Sequence, residues 1–283
     1  MTDAFITTWL LYALAGGVVG FVIGLTGVGG GSFMTPILVS LFGIKMAVAV
    51  GTDLLYAAMT KANGVLVHRH QGTVEWKIVR NLSAGSVPAS VLTIVVLRYL
   101  HGIGVDYGEY LTITLGVMLI LTSIVLLLRN FLIKERKVIS KEESEVGGFE
   151  RRHAQLLTVI MGVSLGVLVT MSSVGAGAFG AAVLMVLYPR LPMIRIIGTD
   201  LAHAVPLTLI AGLGHMLLLG EGSIDWSSGQ IGNVDLRLLS GLMAGSLPAI
   251  WLGTKLANRL PDNLIRPVMA LILLSLGIKY TFF

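Results

Sequence analysis

Long apolar runs separated by short polar segments extend over most of the chain. They cover residues 6–23, 82–97, 110–128, 156–170, 196–219, 236–253 and 264–282. A helix of about 20 residues crosses roughly 30 Å of hydrocarbon, and most of these runs approach that length. The pattern predicts an all-α polytopic membrane protein.

Two glycine-rich stretches interrupt the apolar pattern. The first is Thr26-Gly-Val-Gly-Gly-Gly31, and the second is Ser172-Ser-Val-Gly-Ala-Gly177. The apolar segment that follows the first stretch, residues 33–42, gives only ~15 Å of helix, which is too short to span a bilayer. Each stretch therefore predicts a break within the membrane that is followed by a re-entrant half-helix.

The chain also resembles itself. Besides the glycine-rich stretches, three motifs recur in the same chain order. GTDL occurs at 51–54 and again at 198–201, GTVEW at 72–76 resembles GSIDW at 222–226, and AGSVPA at 84–89 resembles AGSLPA at 244–249. Four matches in one order indicate a duplication. We expect a first transmembrane repeat at residues 1–130, a polar cytoplasmic linker at 131–153 and a second repeat at 154–283.

The distribution of basic residues predicts the orientation of these repeats. If each glycine-rich stretch turns the chain back, most of the 20 Lys and Arg residues fall on the linker side, as cytoplasmic segments require. The two repeats then have inverted topology, each with a broken helix pair and about three full spans, and both termini lie outside. Many secondary transporters are built on this plan.

Composition narrows the functional class. Hydrophobic residues make up 55% of the chain and charged residues 12%, about half the charged share of a soluble domain. The net charge of +5 is attributed to orientation signals rather than to nucleic-acid binding. The absence of cysteine excludes thiol chemistry and cysteine-ligated metal, and no cofactor or metal is expected.

The two helix breaks are the candidate substrate site. A break in lipid persists only where it is buried in protein or lines a cavity, and the N-terminal end of a half-helix attracts anions. The alternative is that the glycines only allow close helix packing. The candidate substrate-binding residues are Gly29, Gly30, Gly31, Ser32, Thr52, Ser173, Gly175, Ala176, Gly177 and Thr199.

The GTDL motifs supply candidates for proton coupling. Asp53 and Asp200 lie within apolar sequence, and a carboxylate inside a membrane usually faces a polar cavity. His203 follows Asp200 at i+3 and is expected to pair with it, or else to be an ordinary bundle histidine. Lys61, two turns from Asp53, is a possible charge partner. The alternative for the two aspartates is a helix N-cap.

Taken together, these motifs resemble the TauE/SafE-type sulfite exporters, the TSUP anion permeases, over nearly the whole chain. The family has a glycine-rich turn in each half, a short segment, and a G-T-S-like tripeptide that opens the next helix. Here Asp53 and Asp200 stand where many members have Ser. The resemblance implies export of sulfite or small organosulfonates, and the two carboxylates suggest coupling to protons.

The sequence is also compatible with two other functions. A passive anion channel would share the same pore chemistry, and an intramembrane hydrolase would use Ser172, Ser173 and His203 as nucleophile and base. The expected partners are a small sulfur-containing anion, protons and membrane lipid, without nucleic acid. The expected location is a bacterial or archaeal inner membrane, and the sequence does not predict the oligomeric state.

Overall fold

The computed structural model describes residues 2–26, 31–142, 148–175, 177–219, 229–257 and 262–282. Ten helices and one two-stranded hairpin are formed within these ranges. In chain order they are α1 (Thr2–Thr26), α2 (Gly31–Phe42), α3 (Met46–His70), α4 (Trp76–Gly102), α5 (Gly108–Glu142), α6 (Gly148–Ser172), α7 (Ala178–Leu187), α8 (Met193–Leu217), β1 (Gln230–Ile231), β2 (Val234–Asp235), α9 (Leu236–Ala257) and α10 (Asp262–Phe282).

Six of these helices, α1, α4, α5, α6, α8 and α9, contain segments that are long and apolar enough to cross a membrane. The half-helices also form as predicted, because α2 has only 12 residues and α7 only 10. The large apolar side chains on the outer faces of the bundle, such as Leu14, Val96 and Leu271, are exposed, which suits contact with lipid. The chain is therefore a multi-pass integral membrane protein.

The predicted polar loop at residues 131–153 is the main departure from the expected helices. Helix α5 continues to Glu142 and α6 begins at Gly148. The segment is rich in Lys, Glu and Arg, and these residues have high helix propensity although they are polar. Low hydropathy therefore did not mark the end of the helix.

Helices α3 and α8 pack against each other at the centre of the bundle, and both are rich in buried residues. Around them α1 packs on α9, α4 on α6, and α5 on α10. The half-helix α2 contacts α3, while α7 contacts α5 and α8. This arrangement brings the two GTDL motifs, one on each central helix, into the interior of the protein.

Small residues allow the outer helix pairs to approach closely. A Cβ added at Gly16 of α1 would lie 2.3 Å from the carbonyl oxygen of Leu242 in α9. A Cβ added at Gly162 of α6 would lie 2.2 Å from the carbonyl oxygen of Leu82 in α4. Such backbone contact is typical of packed membrane helices.

Candidate functional site

The second glycine-rich stretch breaks the helix between α6 and α7, as its sequence predicts. The φ angles of Ser173, Gly175 and Gly177 are 59°, 120° and 145°. Positive φ angles favour glycine, because glycine has no Cβ atom to clash with the backbone. The N–H of Gly180 donates a hydrogen bond to the carbonyl oxygen of Gly175 over 2.9 Å. This bond holds the first turn of α7 against the break.

At the first stretch, helix α2 begins at Gly31, and Ser32 is buried in its first turn. Three of the predicted binding residues, Gly29, Gly30 and Ala176, lie outside the described residues. A substrate-binding role for the remaining members of the set stays a prediction.

Asp53 lies on α3 and is completely buried. Its Oδ2 atom accepts a hydrogen bond of 2.6 Å from the hydroxyl of Thr35, on half-helix α2. The Ser173 hydroxyl faces the same carboxyl group without the geometry of a full hydrogen bond. Within the described part of the chain, neither Asp53 Oδ1 nor Ser173 Oγ has a hydrogen-bond partner, so polar capacity remains available here.

Asp200 lies on α8 with 3% of its surface exposed. Its carboxylate rests directly on half-helix α7, because a Cβ added at Gly180 would lie 2.2 Å from Asp200 Oδ1. This oxygen also lacks a hydrogen-bond partner among the residues that the structure describes.

Each aspartate thus lies beside the N-terminal part of the half-helix that precedes it in the chain. The N-terminal end of a helix carries a partial positive charge and favours a neighbouring anion. The helix ends that the sequence assigned to a substrate anion therefore have the protein's own carboxyl groups beside them. A substrate anion and an ionised aspartate would compete for the same favourable field.

The helix-cap interpretation of the two aspartates is wrong. Helix α3 begins at Met46 with Lys45 at the N-cap position, and α8 begins at Met193 with Pro192 at that position. The GTDL motifs lie in the second turn or beyond, where main-chain N–H groups are already bonded within the helix. Burial of these carboxylates therefore needs another reason.

The threonines of the two motifs bond to the opposite half of the chain. Thr52 Oγ1 accepts a hydrogen bond of 3.1 Å from the main-chain N–H of Asp235, which precedes α9. Thr199 Oγ1 accepts one of 3.0 Å from the N–H of Glu75, which precedes α4. Each hydroxyl oxygen therefore links a central helix to the start of an outer helix. Arg195, near the start of α8, also forms an ion pair with the Glu75 side chain.

These contacts correct one pairing in the sequence comparison. The N–H of Thr73, in GTVEW, donates to the carbonyl oxygen of His68 over 3.0 Å, and the N–H of Asn233 donates to that of His215 over 3.0 Å. The segment around Asn233 reads GNVDL and makes the contacts equivalent to those of GTVEW. Matching by tryptophan identity selected residues 222–226 instead, which lie outside the described residues.

Lys61 is the buried cation of this region, with 6% of its surface exposed. It lies within electrostatic range of both carboxyl groups, Asp200 and Asp53. The same charge also acts on His203. A charge-partner role for Lys61 stays a prediction, and Asp200 of the other half of the chain is a candidate partner beside Asp53.

His203 is completely buried, but it does not form the expected pair with Asp200. Its Nε2 atom lies 2.8 Å from the hydroxyl oxygen of Ser86 in α4, and its Nδ1 atom has no hydrogen-bond partner among the described residues. The hydrolase alternative needs this ring beside Ser172 or Ser173, and the ring is hydrogen-bonded to Ser86 instead. Ser172 donates its hydroxyl hydrogen to the carbonyl of Leu168.

Thr35 and Gly180 are the site residues that the sequence analysis missed. Both lie in the first turns of the short half-helices, and each contacts the aspartate of its own half. A polar residue in the otherwise apolar segment SFMTPILV was the available signal for Thr35. No comparable signal marks Gly180, because glycine is frequent throughout this chain.

The chain is similar in sequence to known membrane transporters. The family model described as sulfite exporter TauE/SafE matches residues 12–280. A protein of Bacillus subtilis (strain 168) named probable membrane transporter protein YjnA is 34% identical over 266 residues, covering 94% of this chain and 97% of the relative. A second protein of that strain, named probable membrane transporter protein YdhB, is 27% identical over 90% of this chain and 92% of its own length.

A protein of Haemophilus influenzae named probable membrane transporter protein is 24% identical over 95% of this chain and 97% of its own length. No solved structure gives a significant match to the chain. The family match extends over both glycine-rich stretches, both buried aspartates and Lys61. The chain belongs to the TauE/SafE sulfite exporter family of membrane transporters.

Proposed function

We propose that this membrane transporter is a secondary transporter that exports sulfite or small organosulfonates in exchange for, or together with, protons. The family description names sulfite, and the relatives are named as membrane transporters. Sulfite and sulfonates are compact anions whose oxygen atoms accept hydrogen bonds from hydroxyl and ammonium groups.

One observation carries the proposal. Two buried carboxyl groups, Asp53 and Asp200, come from the two halves of the chain and share the field of one buried lysine. A buried carboxylate is costly unless it is paired, and in membrane proteins such groups commonly mark proton or ion pathways. A site that can gain protons at two carboxyl groups can accept an anion without a large rise in buried negative charge.

The proposed mechanism uses the two halves as inverted repeats that rock around this site. Paired contacts support the repeat relation: Gly16 of α1 meets Leu242 of α9, as Gly162 of α6 meets Leu82 of α4. The hydrogen bonds of Thr52 and Thr199 to the opposite halves form a second such pair. In this proposal the N- and C-termini lie outside a bacterial or archaeal inner membrane, on the basis of the Lys and Arg distribution.

Transport by purified protein in proteoliposomes tests the proposal. Vesicles with an imposed pH gradient are supplied with ³⁵S-labelled sulfite, thiosulfate or methanesulfonate, and the internal label is followed with time. We expect saturable accumulation of at least one of these anions beyond its external concentration. Downhill movement without accumulation would favour the channel alternative, and no flux of any small sulfur anion would overturn the proposal.

A further inference from the structure

The duplication copies the aspartates but not the lysine. Alignment of the two GTDL motifs pairs Asp53 with Asp200. Lys61 lies eight residues after the first aspartate, and the residue eight positions after the second is Thr208. The bundle interior therefore receives two carboxyl groups and a single ammonium group from these equivalent positions. A lysine that only neutralised the aspartate of its own half would be expected in both halves.

The three groups are held where water does not screen them. Asp53, Asp200 and Lys61 expose 0%, 3% and 6% of their surfaces. If all three are ionised, the group carries one excess negative charge, which is unfavourable in a site of low dielectric constant. An additional anion would increase that excess unless protons enter with it.

The groups around Lys61 include charged and neutral side chains. Asp200 and Asp53 act on it electrostatically, and His203 of α8 lies within its field. Half-helix α2 contributes the hydroxyl of Thr35, and the segment after α6 contributes that of Ser173. These hydroxyl groups can donate hydrogen bonds to an anion but cannot neutralise it.

Unused hydrogen-bonding atoms are a further feature of these groups and their neighbours. Among the described residues, seven buried side-chain atoms lack hydrogen-bond partners, and four of them belong to the two aspartates or to residues that interact with Asp53 or Lys61: Asp53 Oδ1, Asp200 Oδ1, Ser173 Oγ and His203 Nδ1. Buried polar atoms are normally bonded, so a group of exceptions indicates a position that a ligand or proton completes.

On the basis of the proposed function, we propose that Lys61 is the residue that binds the substrate anion. The anion replaces the carboxylates of Asp53 and Asp200 as the counter-charge of Lys61, and one carboxylate is protonated for each negative charge that binds. A monoanion such as a sulfonate then enters with one proton, and a dianion enters with two. The total charge of the site remains the same in the empty and occupied states.

Binding to variants in detergent tests the role of the lysine. Methanesulfonate and sulfate are suitable probes because neither changes its own ionisation near neutral pH. Lys61→Gln should weaken the binding of both by at least about thirtyfold, whereas Lys61→Arg should retain part of it. Lys77→Gln, on an exposed lysine at the start of α4, is the matched control and should bind as the wild type does.

The double variant Lys61→Gln with Asp200→Asn separates binding from simple charge compensation. If Lys61 only neutralises Asp200, removing both charges should restore wild-type affinity, and that result would overturn the inference. If Lys61 holds the anion, the double variant should remain as weak as the single one. The single variant Asp200→Asn should bind methanesulfonate at least as tightly as the wild type, because it lacks the Asp200 carboxylate that competes with the anion for Lys61.

Proton uptake by the wild-type protein provides a test that needs no lysine variant. In weakly buffered solution, alkaline enough for both carboxylates to be ionised, we expect about one proton per methanesulfonate and about two per sulfate. In Asp53→Asn or Asp200→Asn the uptake for sulfate should fall to about one. Binding without proton uptake would overturn the inference while leaving the transporter proposal standing, whereas wild-type protein that binds neither probe nor sulfite would contradict both.

Discussion

Gly180 and Asp200 are in direct contact, and no side-chain carbon fits between them. A Cβ atom at Gly180 would lie 2.2 Å from Asp200 Oδ1. Gly180→Ala must therefore move either the carboxylate or half-helix α7. We expect it to destabilise the protein by about 1–3 kcal/mol, the usual range for overpacking, and to reduce transport.

Gly64→Ala is the matched control for this substitution. Gly64 also lies in a central helix, but its added Cβ would meet only Leu201 Cδ1, at the ordinary contact distance of 3.4 Å. For both alanine variants, stability is measured by thermal unfolding in detergent and transport by anion flux in proteoliposomes. Equal behaviour of the two alanine variants would show that the position of the Asp200 carboxylate does not depend on Gly180.

Thr199 joins α8 to the start of α4 through the main-chain N–H of Glu75. Thr199→Val keeps the shape of the side chain but removes the acceptor, which leaves a partly buried N–H without its bond. We expect a loss of about 1–3 kcal/mol in the free energy of unfolding. Thr199→Ser keeps the acceptor oxygen and should therefore retain most of the free energy of unfolding that Thr199→Val loses. Equal stability of the valine and serine variants would contradict this role of the hydroxyl.

The ion pair between Arg195 and Glu75 should contribute much less to stability than the hydrogen bond of Thr199. The side chains of Arg195 and Glu75 are 45% and 30% exposed, and exposed ion pairs typically contribute about 0–1 kcal/mol. Glu75→Gln removes the charge but keeps the main-chain bond to Thr199. Its unfolding temperature should lie close to that of the wild type and should change little with salt. A loss as large as that of Thr199→Val would show that the ion pair dominates this contact.

The sequence was sufficient for the class of fold and for the two half-helices. Glycine clusters inside apolar sequence, followed by segments too short to span, gave α2 and α7 correctly. The place of the two Thr-Asp pairs within α3 and α8 was less evident, because such a pair has the composition of an N-cap although it lies inside a helix. Local composition cannot distinguish a capping carboxylate from a buried one.

Contacts between distant residues account for most of what the sequence missed. The equivalence of Asn233 with Thr73 depends on hydrogen bonds to His215 and His68, not on residue identity. The hydrogen bond between His203 and Ser86 joins residues 117 positions apart. The sequence instead suggested Asp200 as the partner of His203, because Asp200 lies only three positions away. Helical periodicity places residues on a face, but packing selects which neighbour they meet.

Asp53 and Asp200 are predicted to couple substrate movement to protons, and their asparagine variants test this claim most directly. Each variant is reconstituted and measured in two ways: exchange of labelled anion for unlabelled anion, and accumulation driven by a pH gradient. Asp106→Asn, in the exposed loop before α5, is the control. We predict that Asp53→Asn and Asp200→Asn retain exchange but accumulate less anion than the wild type at the same pH gradient, because each variant has lost one of the two carboxyl groups that can carry a proton. Accumulation in both variants with the pH dependence of the wild type would contradict the account.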